Sequence, residues 1–279
     1  MKTEEYGWKT ADGIPLTAAL WRPDGQPAAA VALVHGMGEH RGRYGHVIKA
    51  FTDAGYAVTA FDLRGHGKSG GPRLYAPSYD AIIGDVDVHI EETRKRVPGV
   101  PVFLYGHSMG GSIVLYHALV RKPKLAGVIA SSPGLGSGTP QPALKILFGR
   151  IMNRVMPTLR IPTGFPPEGI SRDPAVLEAT SKDPLFQHGV SVRLGFEIIK
   201  AGEWIGQQTD FPLPLLIMQG SADKYVDPAL TLRFVEGLKG DVTFRLWEGC
   251  YHELHNEPVK EEVLAFIMEW IDKKRGRLK

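Results

Sequence analysis

A serine set between glycines, an aspartate just past a later apolar run and a histidine near the end of the chain are the residues whose types and order could carry out acyl transfer. The serine is Ser108, in Gly106-His107-Ser108-Met109-Gly110-Gly111, after the apolar run Val102 to Tyr105 and before Ile113, Val114, Leu115 and Leu119. That pattern predicts a buried strand, a sharp reversal at Ser108 and a helix over about 112 to 120. So tight a reversal strains the serine backbone and crowds its neighbours, which is why Gly106 and Gly110 lack a Cβ. The helix start also aims free N–H groups and a positive dipole end at charge developing near Ser108. A serine hydroxyl is protonated at neutral pH and needs a base. His252 suits that role, and Asp223 would fix the imidazole tautomer and stabilise the ring once charged. The N–H of Met109 and that of Met37, in His35-Gly36-Met37-Gly38, would be the oxyanion donors.

The glycine-serine pattern is not decisive alone in a chain with 33 glycines. A second copy, Gly67-Lys68-Ser69-Gly70-Gly71, overlaps a GxGxxG match starting at Gly65. It runs into Pro72 and Pro77 instead of an apolar helix, so it reads as a loop and not as a dinucleotide site. Asp62, where a phosphate-binding loop would begin with glycine, excludes that alternative too. Asp227 rivals Asp223 but is better placed to cap a helix entered at Pro228. His255 rivals His252 but sits a turn later. The histidines of His252-Glu253-Leu254-His255 lie three apart instead of four and lack a third ligand, so no metal site is expected.

These residues are far apart in sequence and need a scaffold that gathers them. Residues 4–9 and 14–22 read as a hairpin turned at Asp12-Gly13. Apolar strands at 31–34, 56–61, 102–105, 127–131, 212–218 and 242–247 then alternate with helices at about 43–54, 78–97, 112–120, 228–237 and 258–272. This alternation is the signature of an α/β fold with a mostly parallel, doubly wound sheet. The loops leaving the carboxyl ends of such strands share one rim, where Ser108, Asp223 and His252 should converge. The alternation stops over residues 134–210, which read as a cap inserted into a core of residues 1–133 and 211–279. Within the cap Leu144, Leu147, Phe148, Ile151, Met152 and Val155 recur at helical spacing opposite Lys145, Arg150 and Arg154. One reading packs this helix on the core. The other turns its apolar stripe toward an acyl chain, with Leu147 and Ile151 in contact, or toward a membrane surface.

With 279 residues, 43% hydrophobic and 23% charged, composition describes one well-cored soluble domain. Its net charge of +3 is mild, and the basic run Lys273 to Lys279 reads as a solvated terminus, so no nucleic-acid partner is expected. A single cysteine, Cys250, excludes an intramolecular disulfide framework and fits a reducing cytoplasm. Met1 to Tyr6 lack the apolar core of a signal peptide, and no apolar run approaches the length of a membrane span. The expected location is cytoplasmic, with at most peripheral contact with a membrane.

Five segments in order, His35-Gly36-Met37-Gly38-Glu39-His40 with Arg43-Tyr44, Asp62-Leu63-Arg64-Gly65-His66-Gly67-Lys68-Ser69, Gly106 to Gly111, Gly220-Ser221-Ala222-Asp223 and Tyr251 to His255, resemble the monoacylglycerol lipases of the α/β-hydrolase fold. The resemblance implies a serine hydrolase without a cofactor, a cap lining an acyl tunnel, and Ser108, Asp223 and His252 as its triad. It also suggests that Glu39 and Arg43 hold the polar alcohol end of the substrate. The expected reaction is cleavage of monoacylglycerols to fatty acid and glycerol through an acyl-enzyme on Ser108. A general carboxylesterase, a lysophospholipase or an aminopeptidase would use the same residues, and a non-catalytic binding protein on the fold would be expected to have lost one of them.

Overall fold

Uninterrupted apolar strands need cover on both faces, and the order of elements supplies it. The computed structural model describes residues 1–136 and 143–276, the side chains of 143–148 excepted. The chain runs β1 (Lys2–Lys9), β2 (Pro15–Arg22), β3 (Ala29–Val34), α1 (Gly45–Asp53), β4 (Tyr56–Phe61), α2 (Tyr79–Arg96), β5 (Val102–His107), α3 (Met109–Arg121) and β6 (Gly127–Ser131). Then come α4 (Ala143–Val155), β7 (Arg160–Ile161), α5 (Pro174–Lys182), β8 (Val190–Ser191), α6 (Val192–Gly206), β9 (Leu215–Gly220), α7 (Pro228–Gly237), β10 (Val242–Trp247) and α8 (Lys260–Arg275).

Eight strands form one sheet in the order β1-β2-β4-β3-β5-β6-β9-β10. The β1–β2 and β2–β4 pairs are antiparallel, and the rest are parallel. Alternate side chains divide the core in two, as a period of two requires. Ala30, Ala32 and Val34 of β3 face Ile82 and Val86 of α2 and Ile113 of α3. Ala29, Val31 and Leu33 face Phe51 of α1 and Ile267 and Ile271 of α8. The order in which strands are added to the sheet reverses at β3, whose parallel neighbours are β4 and β5. The carboxyl ends of β3, β5, β9 and β10 therefore open on one rim, carrying Met37, Ser108, Asp223 and His252 respectively.

The insertion between β6 and β9 is not set wholly apart from the sheet. Leu194, Ala201 and Ile205 of α6 are buried in the same cluster as Ile113 and Leu115 of α3. Residues 134–210 thus contain a helix that is part of the core, together with α5 and the two-stranded β7–β8 ladder. Leu144, Leu147 and Phe148 lie outside the described side chains.

The second glycine-serine copy has a structural role. Ser69 is 4% exposed; its hydroxyl donates to the Asp62 carbonyl at 2.5 Å and accepts the Thr17 N–H at 3.0 Å. Next to it Arg64 donates to both oxygens of Asp85 at 2.6 and 2.9 Å, and both side chains are 3% exposed. Removing one partner strands a buried charge. Arg64→Ala is expected to lower unfolding free energy by about 3–5 kcal/mol, read from urea denaturation midpoints.

Candidate active site

The turn between β5 and α3 is as tight as the glycines imply. Ser108 has φ 55° and ψ −119°, a conformation rarely adopted by non-glycine residues, and its N–H donates to the Ser131 carbonyl at 2.9 Å. A Cβ on Gly106 would lie 2.2 Å from the Gly110 carbonyl oxygen, and one on Gly110 would lie 2.2 Å from that of Val34. Both contacts are with backbone that cannot yield. The helix begins at Met109, three residues earlier than expected, so its first N–H groups stand directly beside the serine.

His252 bridges Ser108 and Asp223. Its Nε2 is 2.8 Å from Ser108 Oγ and its Nδ1 is 2.8 Å from Asp223 Oδ2. Asp223 Oδ1 accepts the N–H groups of Tyr225 at 2.8 Å and Val226 at 3.0 Å, while Oδ2 also accepts Gln219 Nε2 at 2.9 Å. A carboxylate can only accept, so Nδ1 carries the proton and the lone pair of Nε2 faces the serine hydroxyl. Burial opposes charge on both groups, but their mutual attraction prevails. It holds His252 above the usual histidine range and Asp223 below the usual carboxylate range.

The rivals are placed elsewhere. Asp227 caps α7, accepting the Ala229 N–H at 2.9 Å. His255 is fully buried, stacked on Tyr44 and edge-on to His107 with ring centroids 4.8 Å apart in each case. Among the described residues no group of three or more His, Cys, Asp or Glu could hold a metal ion.

The loop after β3 crosses the serine closely enough that a Cβ on Gly36 would lie 3.1 Å from Ser108 Cβ. Beneath the insertion is a cavity of about 640 Å³, lined by Met37, Ser108 and His252 from the core and by Phe165, Leu177 and Phe186 from the insertion. Tyr225 closes one side, its ring centroid 4.9 Å from that of His252 and stacked on Phe165 at 4.6 Å.

Two expectations about substrate contacts change. Glu39 lines the cavity, but Arg43 does not: its guanidinium is spent on Glu39, Glu253 and Thr180. Ile151 is 52% exposed and lies outside the cavity lining, because its turn of α4 faces solvent. Leu147 lies outside the described side chains. The sequence reading gave no role to Tyr225, Gln219, Thr180 or Glu253. Only Glu253 carried a signal, a charged side chain next to the candidate base.

The model of the family described as serine aminopeptidase, S33, matches residues 25–259. An uncharacterized abhydrolase domain-containing protein of Dictyostelium discoideum is 36% identical over 94% of this chain, which spans 28% of that longer protein. Phospholipase YtpA of Bacillus subtilis is 33% identical, covering 90% of this chain and 98% of its own. Human monoglyceride lipase is also 33% identical, covering 95% and 89%. Among solved structures, the monoacylglycerol lipase of Paleococcus ferrophilus superposes with a TM-score of 0.82 at 33% identity, covering 98% of this chain and 100% of its own. With the sheet order and these matches in hand, the chain belongs to the serine aminopeptidase S33 family, on the α/β-hydrolase fold, as a serine hydrolase similar to the monoglyceride lipases.

Proposed function

We propose that this carboxylic ester hydrolase cleaves monoacylglycerols to fatty acid and glycerol through an acyl-enzyme on Ser108. The observation that carries the reading is the Ser108–His252–Asp223 hydrogen-bonded chain, which opens into a cavity with an apolar wall. His252 Nε2 takes the hydroxyl proton as Ser108 Oγ attacks the ester carbonyl, and returns it to the departing glycerol oxygen. Asp223 holds the imidazolium that forms. The N–H groups of Met37 and Met109 receive the oxyanion, and Phe165, Leu177 and Phe186 take the acyl chain. Water then repeats the sequence on the acyl-enzyme.

Monoacylglycerol is favoured over lysophospholipid by charge. The charged side chains lining the cavity, among the described residues, are all carboxylates: Glu39, Glu168, Glu178 and Glu253. Arg43 offsets one of the two charges of Glu39 and Glu253, and Lys182 reaches Glu178 from outside the lining, at 2.5 Å. A neutral glycerol head meets no repulsion there, whereas a phosphate meets carboxylates without a lining cation. One like-charge contact in a partly desolvated cleft is worth about 1.4 kcal/mol, or about tenfold. The expected result is a kcat/KM at least about tenfold higher for a monoacylglycerol than for the lysophosphatidylglycerol of equal chain length. The reverse order would make the chain a lysophospholipase. Equal rates on simple alcohol esters would make it a general carboxylesterase, and faster cleavage of amides an aminopeptidase.

The last turn of α4 and the chain from there to the cavity support collection of substrate from a lipid surface. Val155, Met156, Leu159, Ile161 and Phe165 are exposed, with Arg154 and Arg160 exposed among them. Apolar residues interleaved with cations suit shallow contact with a membrane. No described helix is long and apolar enough to cross one.

A further inference from the structure

Behind the cavity, one guanidinium joins three separate parts of the chain. Arg43 Nε donates to Glu39 Oε2 at 3.3 Å, Nη2 donates to both oxygens of Glu253 at 2.9 and 2.8 Å, and Nη1 donates to Thr180 Oγ1 at 2.6 Å. The three charged side chains are 8%, 3% and 6% exposed for Arg43, Glu39 and Glu253. Each carboxylate has further ties. Glu39 Oε1 accepts the Gly36 N–H at 2.5 Å and the Tyr44 hydroxyl at 2.7 Å, and Glu253 Oε2 accepts Asn256 Nδ2 at 2.6 Å.

These contacts connect places that matter to the reaction. Gly36 immediately precedes Met37, Glu253 immediately follows His252, and Thr180 belongs to α5 of the insertion. Two ties run alongside: the Gln187 N–H donates to the Gly38 carbonyl at 2.7 Å, and His40 Nε2 is 2.8 Å from Asp183 Oδ2. The insertion is thus seated on the loop that carries Met37. Burial works against the charge on Arg43, and the Glu253 and Glu39 carboxylates more than offset it.

We infer that Glu39, Arg43 and Glu253 are positioning residues, and that the Thr180 hydroxyl of α5, through Arg43, sets the Met37 loop and the His252 loop in register with Ser108. Resting on the reading of Ser108 as nucleophile, this assigns Arg43 a role away from the substrate. It makes an acid that lies outside the hydrogen-bonded triad, Glu253, part of what holds the base. An offset of about 1 Å in such a geometry costs up to about a hundredfold in rate, with little change in binding.

Glu253→Gln keeps the shape and removes one charge, leaving Arg43 and Glu39 as a neutral pair. The groups acting on His252 are Asp223, Glu253, Glu39, Tyr225, His107 and His255, and Arg43 acts in turn on His107 and His255. Losing a carboxylate among them lowers the proton affinity of the imidazole. On p-nitrophenyl butyrate, the expected result for Glu253→Gln is a fall in kcat of about ten- to a hundredfold, KM within a few-fold of wild type, and an acidic limb of kcat/KM moved to lower pH. Thr180→Val, which alters no charge, should lower kcat severalfold with the acidic limb in place, and Thr180→Ser should restore it. Should Glu253→Gln fail to fold, the Thr180 pair decides. Wild-type kcat in Thr180→Val, or a loss that serine does not restore, would overturn the inference, as would a Glu253→Gln enzyme with wild-type kcat and an unmoved limb. An activated ester reads turnover through Ser108, acylation in kcat/KM and hydrolysis of the acyl-enzyme in kcat, whatever the natural alcohol. Failure on monoacylglycerol would therefore sink the substrate reading and leave this test intact, and activity surviving in Ser108→Ala would sink the nucleophile separately.

Discussion

Ser108→Ala is expected to lower kcat by about 10⁶-fold while KM stays close to wild type. The hydroxyl oxygen lies 2.8 Å from His252 Nε2 and is the atom that would bond to the acyl carbon, so no neighbouring group can substitute for it. KM should hold because the apolar cavity walls proposed to take the acyl chain, Phe165, Leu177 and Phe186, are untouched. The fold should hold as well, since alanine faces the same positive φ of 55° that serine already tolerates. His252→Ala should cost a similar factor, and the double variant little more than either alone, because the two groups act as a unit. Mass spectrometry after treatment with a fluorophosphonate checks the same point independently, with an adduct on Ser108 in wild type and none in Ser108→Ala. Ser108→Ala retaining more than about a hundredth of wild-type kcat would place the nucleophile elsewhere. Ser69 could not take over without breaking its hydrogen bonds to Asp62 and Thr17.

Why the turn at Ser108 could be read from the sequence while the cavity could not follows from the range of the signals. The turn at Ser108 is a local event: a run of β-type apolar residues, two glycines that backbone oxygens would otherwise strike at 2.2 Å, then helical spacing. Asp223 and Asp227 could be told apart because a proline following an acidic residue marks a helix start, and Asp227 does cap α7. The sheet was legible for the same reason, since parallel strands buried on both faces leave runs such as Val31 to Val34. The cavity wall has no such period. Phe165, Leu177, Phe186 and Tyr225 come from irregular segments and short helices, and only packing brings them together. Arg43 shows the limit most clearly: a charge beside the Met37 loop reads as a substrate contact until Glu253, 210 residues later, is found to hold it. Ile151 shows the converse, since helical spacing identified an apolar stripe but not the side of the helix that meets solvent.

Asp223→Asn is expected to lower kcat/KM by about 10⁴-fold at neutral pH, although the variant changes only an oxygen to an amide nitrogen. The reason is the tautomer. Asp223 Oδ1 accepts the N–H groups of Tyr225 and Val226, and an asparagine keeps those bonds only by placing its carbonyl oxygen there. Its NH₂ group then occupies the Oδ2 position and donates toward His252 Nδ1. That forces the ring proton onto Nε2, where it faces Ser108 and removes the lone pair that should take the hydroxyl proton. Gln219 Nε2, which donates to Oδ2 in the wild type, would oppose the amide as well. The pH profile carries a second signature. In the wild type, His252 is held above the usual histidine range chiefly by Asp223 working against burial, so kcat/KM should fall on the acidic side as the base protonates above about pH 6.5. Removing the carboxylate lowers the ring's proton affinity, so the acidic limb of the residual activity should move to lower pH. Asp227→Asn provides the contrast. It retains a capping oxygen for α7, so its activity and pH profile should match wild type. A loss of about 10⁴-fold in Asp227→Asn with wild-type rates in Asp223→Asn would transfer the role to Asp227, and equal losses in both would mean that the loop after β9 acts through its fold instead of through one carboxylate.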